Sequence, residues 1–170
     1  DLYGTSAATT VPALTPHRLS EPYEALRKRA DGYKAKTGTF PQIFLANLGK
    51  VAQHTARAMF ARNFFEAGGI EAITNTGFAD ATSVAKAFTA SGAKIAVICG
   101  SDPQYGDMAD DVASTLKTAG ASLVYLAGHP GDARAGYEAA GIDDFIYVGT
   151  DVPDTCRTAM DHLSGARGDK

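Results

Sequence analysis

Five short β-rich apolar runs, each followed by a helical stretch, constrain this chain more than any other feature. The runs are IFLANL (43–48), IEAIT (70–74), KIAVICG (94–100), SLVYLAG (122–128) and DFIYVG (144–149). The helical stretches that follow them end at Ala67 or cover about 80–91, 106–119, 132–140 and 152–163. Continuously apolar strands are typical of a parallel sheet that helices cover on both faces. We therefore predict an α/β fold, a doubly wound five-stranded parallel sheet.

The strand order that we favour is the flavodoxin-like 2-1-3-4-5. In such folds ligands bind beyond the carboxyl ends of the strands, near the point between the first and third strands where the order reverses. The turns at that edge are 47–54, 75–80, 100–106 and 127–132. Glycines that are expected to end helices in the left-handed conformation are Gly68-Gly69, Gly92, Gly120 and Gly141.

We predict an arm and one helix before the sheet. Residues 1–20 show no helical or alternating pattern and predict an extended N-terminal arm or linker, either disordered alone or lying along a partner's surface. The pattern of residues 21–38 predicts a leading amphipathic helix, and we expect residues 39–170 to form the α/β domain. The chain begins with Asp1 rather than Met, so we expect a processed product or a piece of a longer polypeptide.

Composition excludes several classes of function. The net charge is −3, and the basic residues are scattered rather than clustered, which argues against nucleic-acid binding. No apolar run approaches the roughly 20 residues of a membrane span, and residues 1–20 show no charged region followed by an apolar one, so we predict a cytoplasmic protein. Cys99 and Cys156 lie far apart, and no close His/Cys cluster accompanies them. We expect two reduced, buried thiols and no structural metal site.

The first turn, NLGKVAQH (47–54), matches no phosphate-binding loop. Gly49 alone satisfies neither GxGxxG nor the P-loop pattern, and few hydrogen-bond donors are available for FMN. A receiver-type phosphoacceptor site would need acidic residues after the first strand, Asp after the third and Lys after the fifth. Asn47, Ser101-Asp102 and Gly149-Thr150 stand there instead.

We expect the third turn, 100–106, to have a structural role rather than a catalytic or ligand-binding one. Asp102 precedes Pro103 and is most simply a turn residue. Ser101, Gln104 and Tyr105 are expected to form a capped turn that leads into a helix.

His54 is the one side chain of the first turn that could ligate a transition metal, through a neutral imidazole nitrogen. A ligating histidine normally needs a carboxylate that orients it, and the turn contains none. The simpler hypothesis is a histidine near a helix N-terminus that is hydrogen-bonded to a neighbour. His54 remains the one candidate residue for a cofactor or metal.

A family resemblance rests on IFLANLG, ARAMFARNFFEAGGIEAI and the turn GSDPQYG. From about Phe40 to Leu163 the chain resembles the C-terminal cobalamin-binding domain of methylmalonyl-CoA mutases, and most of all that of the small subunit of the bacterial heterodimeric enzyme. Cobalamin-binding members carry DxHxxG in the first turn, in which histidine is the lower cobalt ligand and aspartate orients it. Aligned on His54, this chain has Ala52 for the aspartate and Arg57 for the glycine.

Two further family elements are also altered. Cobalamin binders carry SxL after the third strand and paired glycines after the fourth, which line a slot for the nucleotide tail. Here the third strand is followed by Gly100-Ser101-Asp102 without SxL, and the fourth keeps one glycine, Gly128. The resemblance therefore implies a slot that is filled or closed, with no catalytic, cofactor-binding or metal-binding residue in this chain.

The function implied by the resemblance is structural. The chain would be the C-terminal region of the non-catalytic small subunit, and its partners would be the mutase large subunit, which holds adenosylcobalamin, and an upstream barrel domain of its own subunit. The complex would interconvert methylmalonyl-CoA and succinyl-CoA. Two alternatives stay open. One is a functional cobalamin module with His54 as lower ligand, and the other is an independent flavodoxin-like module that binds a ligand or protein through 100–106 or 127–132.

Overall fold

The computed structural model describes residues 18–165, so most of the predicted arm over 1–20 lies outside the described residues. The strands are β1 (Gln42–Asn47), β2 (Glu71–Ile73), β3 (Ile95–Cys99), β4 (Leu123–Ala127) and β5 (Asp144–Ile146). The α-helices are α1 (Glu21–Thr37), α2 (Val51–Ala67), α3 (Ala81–Ser91), α4 (Asp102–Thr118), α5 (Arg134–Ala140) and α6 (Val152–Leu163). A short 3₁₀ turn, Gly131–Ala133, precedes α5.

The five strands form one parallel sheet in the order β2-β1-β3-β4-β5, which confirms the predicted class and strand order. Phe44 of β1 pairs with Ile73 of β2 on one side and with Ala96 of β3 on the other. Strand β2 therefore lies on one side of β1, and β3, β4 and β5 follow one another on the other side. A crevice forms at the carboxyl end of such a reversal, between the connections that leave β1 and β3.

Both faces of the sheet are buried. Ile43 and Leu45 point to a core shared with α1, α2 and α6, while Phe44 and Ala46 point to a core shared with α3 and α4. Side chains of a strand alternate between faces, so a strand that is covered twice must be apolar at nearly every position. This explains the continuous apolar runs in the sequence. Cys99 and Cys156 are free and buried in the first of these cores, as predicted.

Several boundaries differ from the predicted ones. Helix α4 begins at Asp102 rather than near residue 106, because Pro103 in its first turn has a backbone angle already suited to a helix. Asp102 is thus a helical residue and not a turn residue. Ser101 stands at the N-cap position, but its side chain makes no capping bond, so the predicted capped turn is wrong in that detail.

Strands β2 and β5 are shorter than predicted. The amide of the Asn75 side chain donates to the carbonyl of Leu45 at 2.7 Å. Beyond Ile73 this side-chain hydrogen bond takes the place of backbone pairing between β2 and β1. After Ile146 the backbone N–H of Tyr147 donates to the hydroxyl of Thr150, which turns the chain away from the sheet. The predicted glycine helix ends are confirmed, with positive φ at Gly69, Gly92, Gly120 and Gly141. Among the described residues, no helix has the length and apolar character that a membrane crossing demands.

Candidate functional site

The connections that follow β1 and β2 are joined at the carboxyl edge of the sheet. The N–H of Gly49 donates to the carbonyl of Phe78, and the N–H of Phe78 donates to the carbonyl of Asn47, each at 2.8 Å. The N–H of Leu48 donates to the carbonyl of Cys99, also at 2.8 Å. Backbone hydrogen bonds therefore hold the first turn against its neighbours on both sides.

The first turn also satisfies its own polar groups. Gly49 has a φ of +73°, and a Cβ there would lie 2.4 Å from Oε1 of Gln53. That oxygen accepts a 2.8 Å hydrogen bond from the N–H of Lys50. A phosphate-binding loop keeps its N–H groups open to the ligand. Here Gln53 accepts from one of them, in agreement with the missing phosphate motif.

His54 lies in the first turn of α2 and is buried, with 3% of its surface exposed. Its ring lies against Gly77 in the connection after β2, where a Cβ would come within 2.7 Å of the imidazole Cε1. Nδ1 has no hydrogen-bond partner among the described residues. The ring is thus enclosed between α2 and this connection.

No hydrogen bond joins His54 to a carboxylate among residues 18–165. Ala52, aligned with the family's aspartate, is exposed on α2. The cleft that His54 lines has no acidic residue in its walls. Within residues 18–165 there is no group of three or more His, Cys, Asp and Glu side chains that could hold a metal ion.

Arg57, one turn further along α2, spans the crevice at the carboxyl ends of β3 and β4. Nη1 donates to the carbonyl of Gly100 at 2.9 Å, and Nη2 donates to Oδ1 of Asp102 at 2.6 Å. The guanidinium carbon lies 4.8 Å from the centre of the Tyr105 ring and 3.4 Å from the position that a Cβ would take at Gly128. The crevice is therefore crossed by a side chain of the chain itself.

The surroundings of Arg57 keep its guanidinium protonated. Partial burial acts to lower the pKa of Arg57, but the hydrogen bond to Asp102 and the neighbouring Tyr105 outweigh it and raise the pKa above its ordinary value. The sequence marked Arg57 only as a departure from the family pattern. Its contacts with Gly100, Asp102 and Tyr105 were not predicted.

Tyr105 joins the ends of β3 and β4 beneath Arg57. Its hydroxyl donates to the carbonyl of Ala127 at 2.6 Å and accepts from the N–H of Gly100 at 3.1 Å. Burial raises the pKa of Tyr105 well above its ordinary value, so the hydroxyl keeps the proton that it donates. Tyr105 thus acts as a buried hydrogen-bonding link, a role that its position in a turn sequence did not reveal.

The space between the sheet and helices α2 and α6 is filled by aromatic and sulfur side chains. The rings of Phe65 and Tyr125 lie 5.4 Å apart, and those of Phe64 and Phe65 lie 5.2 Å apart. Helices α2 and α6 meet where Gly68 faces Cys156, since a Cβ on this glycine would come within 2.7 Å of Sγ. This face of the sheet is packed as an ordinary hydrophobic core.

Three relatives of this chain, from three bacteria, carry the same name. The chain is 42% identical over 149 residues to the methylmalonyl-CoA mutase small subunit of Streptomyces virginiae, a match that covers 88% of this chain and 23% of the relative. It is 34% identical over 164 residues to that of Propionibacterium freudenreichii subsp. shermanii, covering 95% and 25%. It is 33% identical over 144 residues to that of Porphyromonas gingivalis, covering 85% and 22%.

The chain spans about a quarter of the length of the curated relatives that it matches. No family model matches it. A cobalamin-binding protein from Desulfitobacterium hafniense has a similar crystal structure, with a TM-score of 0.53 over 84% of this chain and 69% of that one. At 18% identity, this likeness concerns the fold alone.

Proposed function

Since the chain is a homologue of the methylmalonyl-CoA mutase small subunit, we propose that it serves such a subunit as a structural, non-catalytic module and binds no cobalamin itself. Its partners are then the large subunit, which holds adenosylcobalamin, and the barrel domain upstream in the same subunit. The assembled heterodimer interconverts methylmalonyl-CoA and succinyl-CoA in the cytoplasm.

One observation carries the proposal: Arg57 occupies the crevice where a fold of this type binds its ligand. Its guanidinium bonds to the connection after β3 and lies beside Gly128 at the end of β4. These are the two places where cobalamin-binding members carry SxL and the glycine pair. A cofactor entering there would have to break the bonds of Arg57 to Gly100 and Asp102.

The surroundings of His54 support the same conclusion. A lower cobalt ligand has to present a ring nitrogen outward and needs a partner that orients the ring. His54 is enclosed against Gly77, and the aligned Ala52 offers no hydrogen-bond acceptor in its side chain. The residues at this edge do not fit the lower axial position of a cobalamin.

The packed core under α2 and α6 gives a third argument. A nucleotide tail that is inserted between helices and sheet needs small side chains along its path. Phe65 and Tyr125 are fully buried there and contact each other. Making room for a nucleotide would require both rings to move out of a close-packed interior, which is strongly unfavourable.

An absorbance titration tests this proposal. The purified chain is mixed with adenosylcobalamin or hydroxocobalamin and desalted, and the His54→Ala variant is treated in parallel. We expect no corrin spectrum to remain with either protein. A histidine-bound spectrum that the His54→Ala variant loses would contradict the proposal and establish His54 as a cobalt ligand.

The structural role is tested with partners. The full small subunit is co-expressed with a tagged mutase large subunit, and mutase activity is measured on the purified complex. We expect a stable heterodimer whose activity survives conservative changes at the crevice, such as Asp102→Asn. Failure of the two subunits to associate would contradict the proposed role.

A further inference from the structure

A groove lies between the first turns of α1 and α6. Pro22 and Tyr23 line one side, and residues 150–154 with Arg157 line the other, around a volume of about 480 Å³. Helix α6 follows β5, so this groove lies at the carboxyl edge of the sheet. The described chain begins at residue 18, four residues before Pro22, and therefore enters the domain beside that edge.

A smaller recess adjoins the groove. It has a volume of about 170 Å³, and its lining includes Phe60 of α2 together with Tyr147 and Val148 of the connection from β5 to α6. Val148 of the recess and Thr150 of the groove are two residues apart, so their Cα atoms are separated by at most about 7.6 Å. The groove and the recess thus form one continuous depression from Tyr23 to Phe60, which we call the carboxyl-edge track.

The carboxyl-edge track carries exposed apolar and aromatic surface. Val148 is 88% exposed, and Leu19, at the entrance to the groove, is 97% exposed. No other large apolar side chain within residues 18–165 is as exposed as these two. The rings of Tyr23, Phe60 and Tyr147 are half-buried along the track. Aromatic-lined grooves are typical binding sites of proline-rich segments in the polyproline II conformation.

A segment of that composition joins the domain at this place. Residues 11–17 read VPALTPH and precede Arg18 directly. Pro12 and Pro16 favour polyproline II, which has three residues per turn and places Val11 and Leu14 on one face. The segment contains no Lys, Arg, Asp or Glu, so it can lie on aromatic rings without burying such a charge. At about 3.1 Å per residue its seven residues span about 22 Å.

The covalent connection lowers the affinity that binding requires. A tethered segment meets its site at an effective concentration in the millimolar range, so contacts too weak for a free peptide are sufficient. The charge of Arg18 also suits the groove. Its wall contains the carboxylates of Asp151 and Asp154 and one guanidinium, that of Arg157, which bonds to Asp154 at 2.8 Å.

We propose that residues 11–17 bind the carboxyl-edge track of their own domain. Leu14 lies in the groove against Tyr23, and Val11 lies in the recess against Val148 and Phe60. The segment then covers the outer side of the crevice that Arg57 crosses, so the N-terminal arm closes the position where folds of this type bind ligands. The proposal does not depend on the mutase assignment.

Paramagnetic broadening in NMR spectra tests this proposal. A nitroxide is attached to the full chain, labelled with ¹⁵N, at Thr10→Cys, since Cys99 and Cys156 are buried. We expect loss of the amide signals of Phe60 and Val148 and no loss at residues 120–122, which precede β4 at the opposite edge of the sheet. Adding Leu14→Asp to the labelled chain should restore the lost signals. Thr15→Asp, which places the same charge on another face of the segment, should leave them lost.

The track is tested from the side of the domain as well. Val148→Asp changes an exposed side chain and should restore the Phe60 signal, whereas Val51→Asp, at an exposed position outside the track, should not. Signal loss that Leu14→Asp leaves unchanged would mean that the arm is only tethered nearby and would overturn the proposal. Loss of the same signals in an unlabelled ¹⁵N chain mixed with the nitroxide-labelled chain would also overturn it, because the occupant would then be the arm of a second copy.

Discussion

Nη2 of Arg57 lies 2.6 Å from Oδ1 of Asp102, which bonds α2 to the first residue of α4 across the carboxyl edge of the sheet. The two residues are 45 positions apart in the chain. Asp102 stands where the dipole of α4 favours a negative charge, and it brings the positive charge of Arg57 to that helix end. The side chains of Arg57 and Asp102 thus occupy the crevice where folds of this type bind ligands.

Replacing Arg57 by alanine should destabilise the chain by about 1–2 kcal/mol. The bond to the carbonyl of Gly100 and the contact with the Tyr105 ring contribute most of this. The ion pair contributes little, because 85% of the Asp102 side chain is exposed. Urea unfolding measures the change. The control is Arg157→Ala, which breaks an exposed ion pair with Asp154 and should cost less than about 0.5 kcal/mol. Equal losses in both variants would contradict the assigned role of Arg57.

Tyr105→Phe should cost about 1–3 kcal/mol, because it leaves the buried carbonyl of Ala127 and the N–H of Gly100 without their partner. Tyr137→Phe is the control, since the hydroxyl of Tyr137 makes no hydrogen bond to any residue within 18–165. Thermal and urea unfolding of both variants give the comparison. If Tyr105→Phe is as stable as the control, the hydroxyl does not link the strand ends.

Gly77→Ala should be destabilising by about 2–4 kcal/mol. Gly77 has a φ of +106°, and a Cβ there would lie 2.2 Å from the carbonyl oxygen of Gly49 and 2.7 Å from Cε1 of His54. Gly106→Ala is the matched control, because nothing lies within 4 Å of its added Cβ in α4. The control should stabilise the chain by about 0.5–1 kcal/mol, through helix propensity. If both variants changed the free energy of unfolding in the same direction, the close contact between Gly77 and His54 would be refuted.

Stability should fall as the pH rises above the ordinary thiol pKa of 9.0. Burial raises the pKa of Cys156 to about 12, and burial also raises the pKa of Cys99. The unfolded thiols lose their protons first, so the stabilisation is complete below the ordinary pKa and is lost as the pH rises toward the folded values. Each thiol contributes a slope of at most about 1.4 kcal/mol per pH unit.

Urea unfolding between about pH 8 and pH 10.5 measures this slope. The double variant Cys99→Ala, Cys156→Ala is expected to show a flatter dependence, although removal of the sulfur atoms lowers its stability at every pH. An identical slope in the variant would show that the thiols do not cause the alkaline loss.

Restoring the family motif should not restore cobalamin binding. In the double variant Ala52→Asp, Arg57→Gly we expect no corrin absorbance after desalting with hydroxocobalamin. Phe65 and Tyr125 still fill the core, and His54 still lies against Gly77. Retention of the corrin by this variant would mean that the two motif residues alone abolished the site.

Much of the fold could be predicted from the sequence. The apolar runs around Phe44 and Val97 identified strands buried on both faces, and glycines such as Gly92 and Gly141 marked helix ends by their left-handed conformation. Both signals are local, because they act within one strand or one turn. The candidate site was predicted only as a set of turns at one edge, and the role of His54 stays a prediction.

The residue pattern indicated the helices and strands, their parallel arrangement and the burial of the strands on both faces. The packed fold was needed to find that Arg57 crosses the crevice to Asp102, that Gly77 encloses His54, and that Oδ1 of Asn47 has no hydrogen-bond partner among residues 18–165. Periodicity tells which face of a helix or strand a residue occupies. It does not tell which atom of a residue tens of positions away meets it, because that contact depends on how the packed elements bring distant turns together.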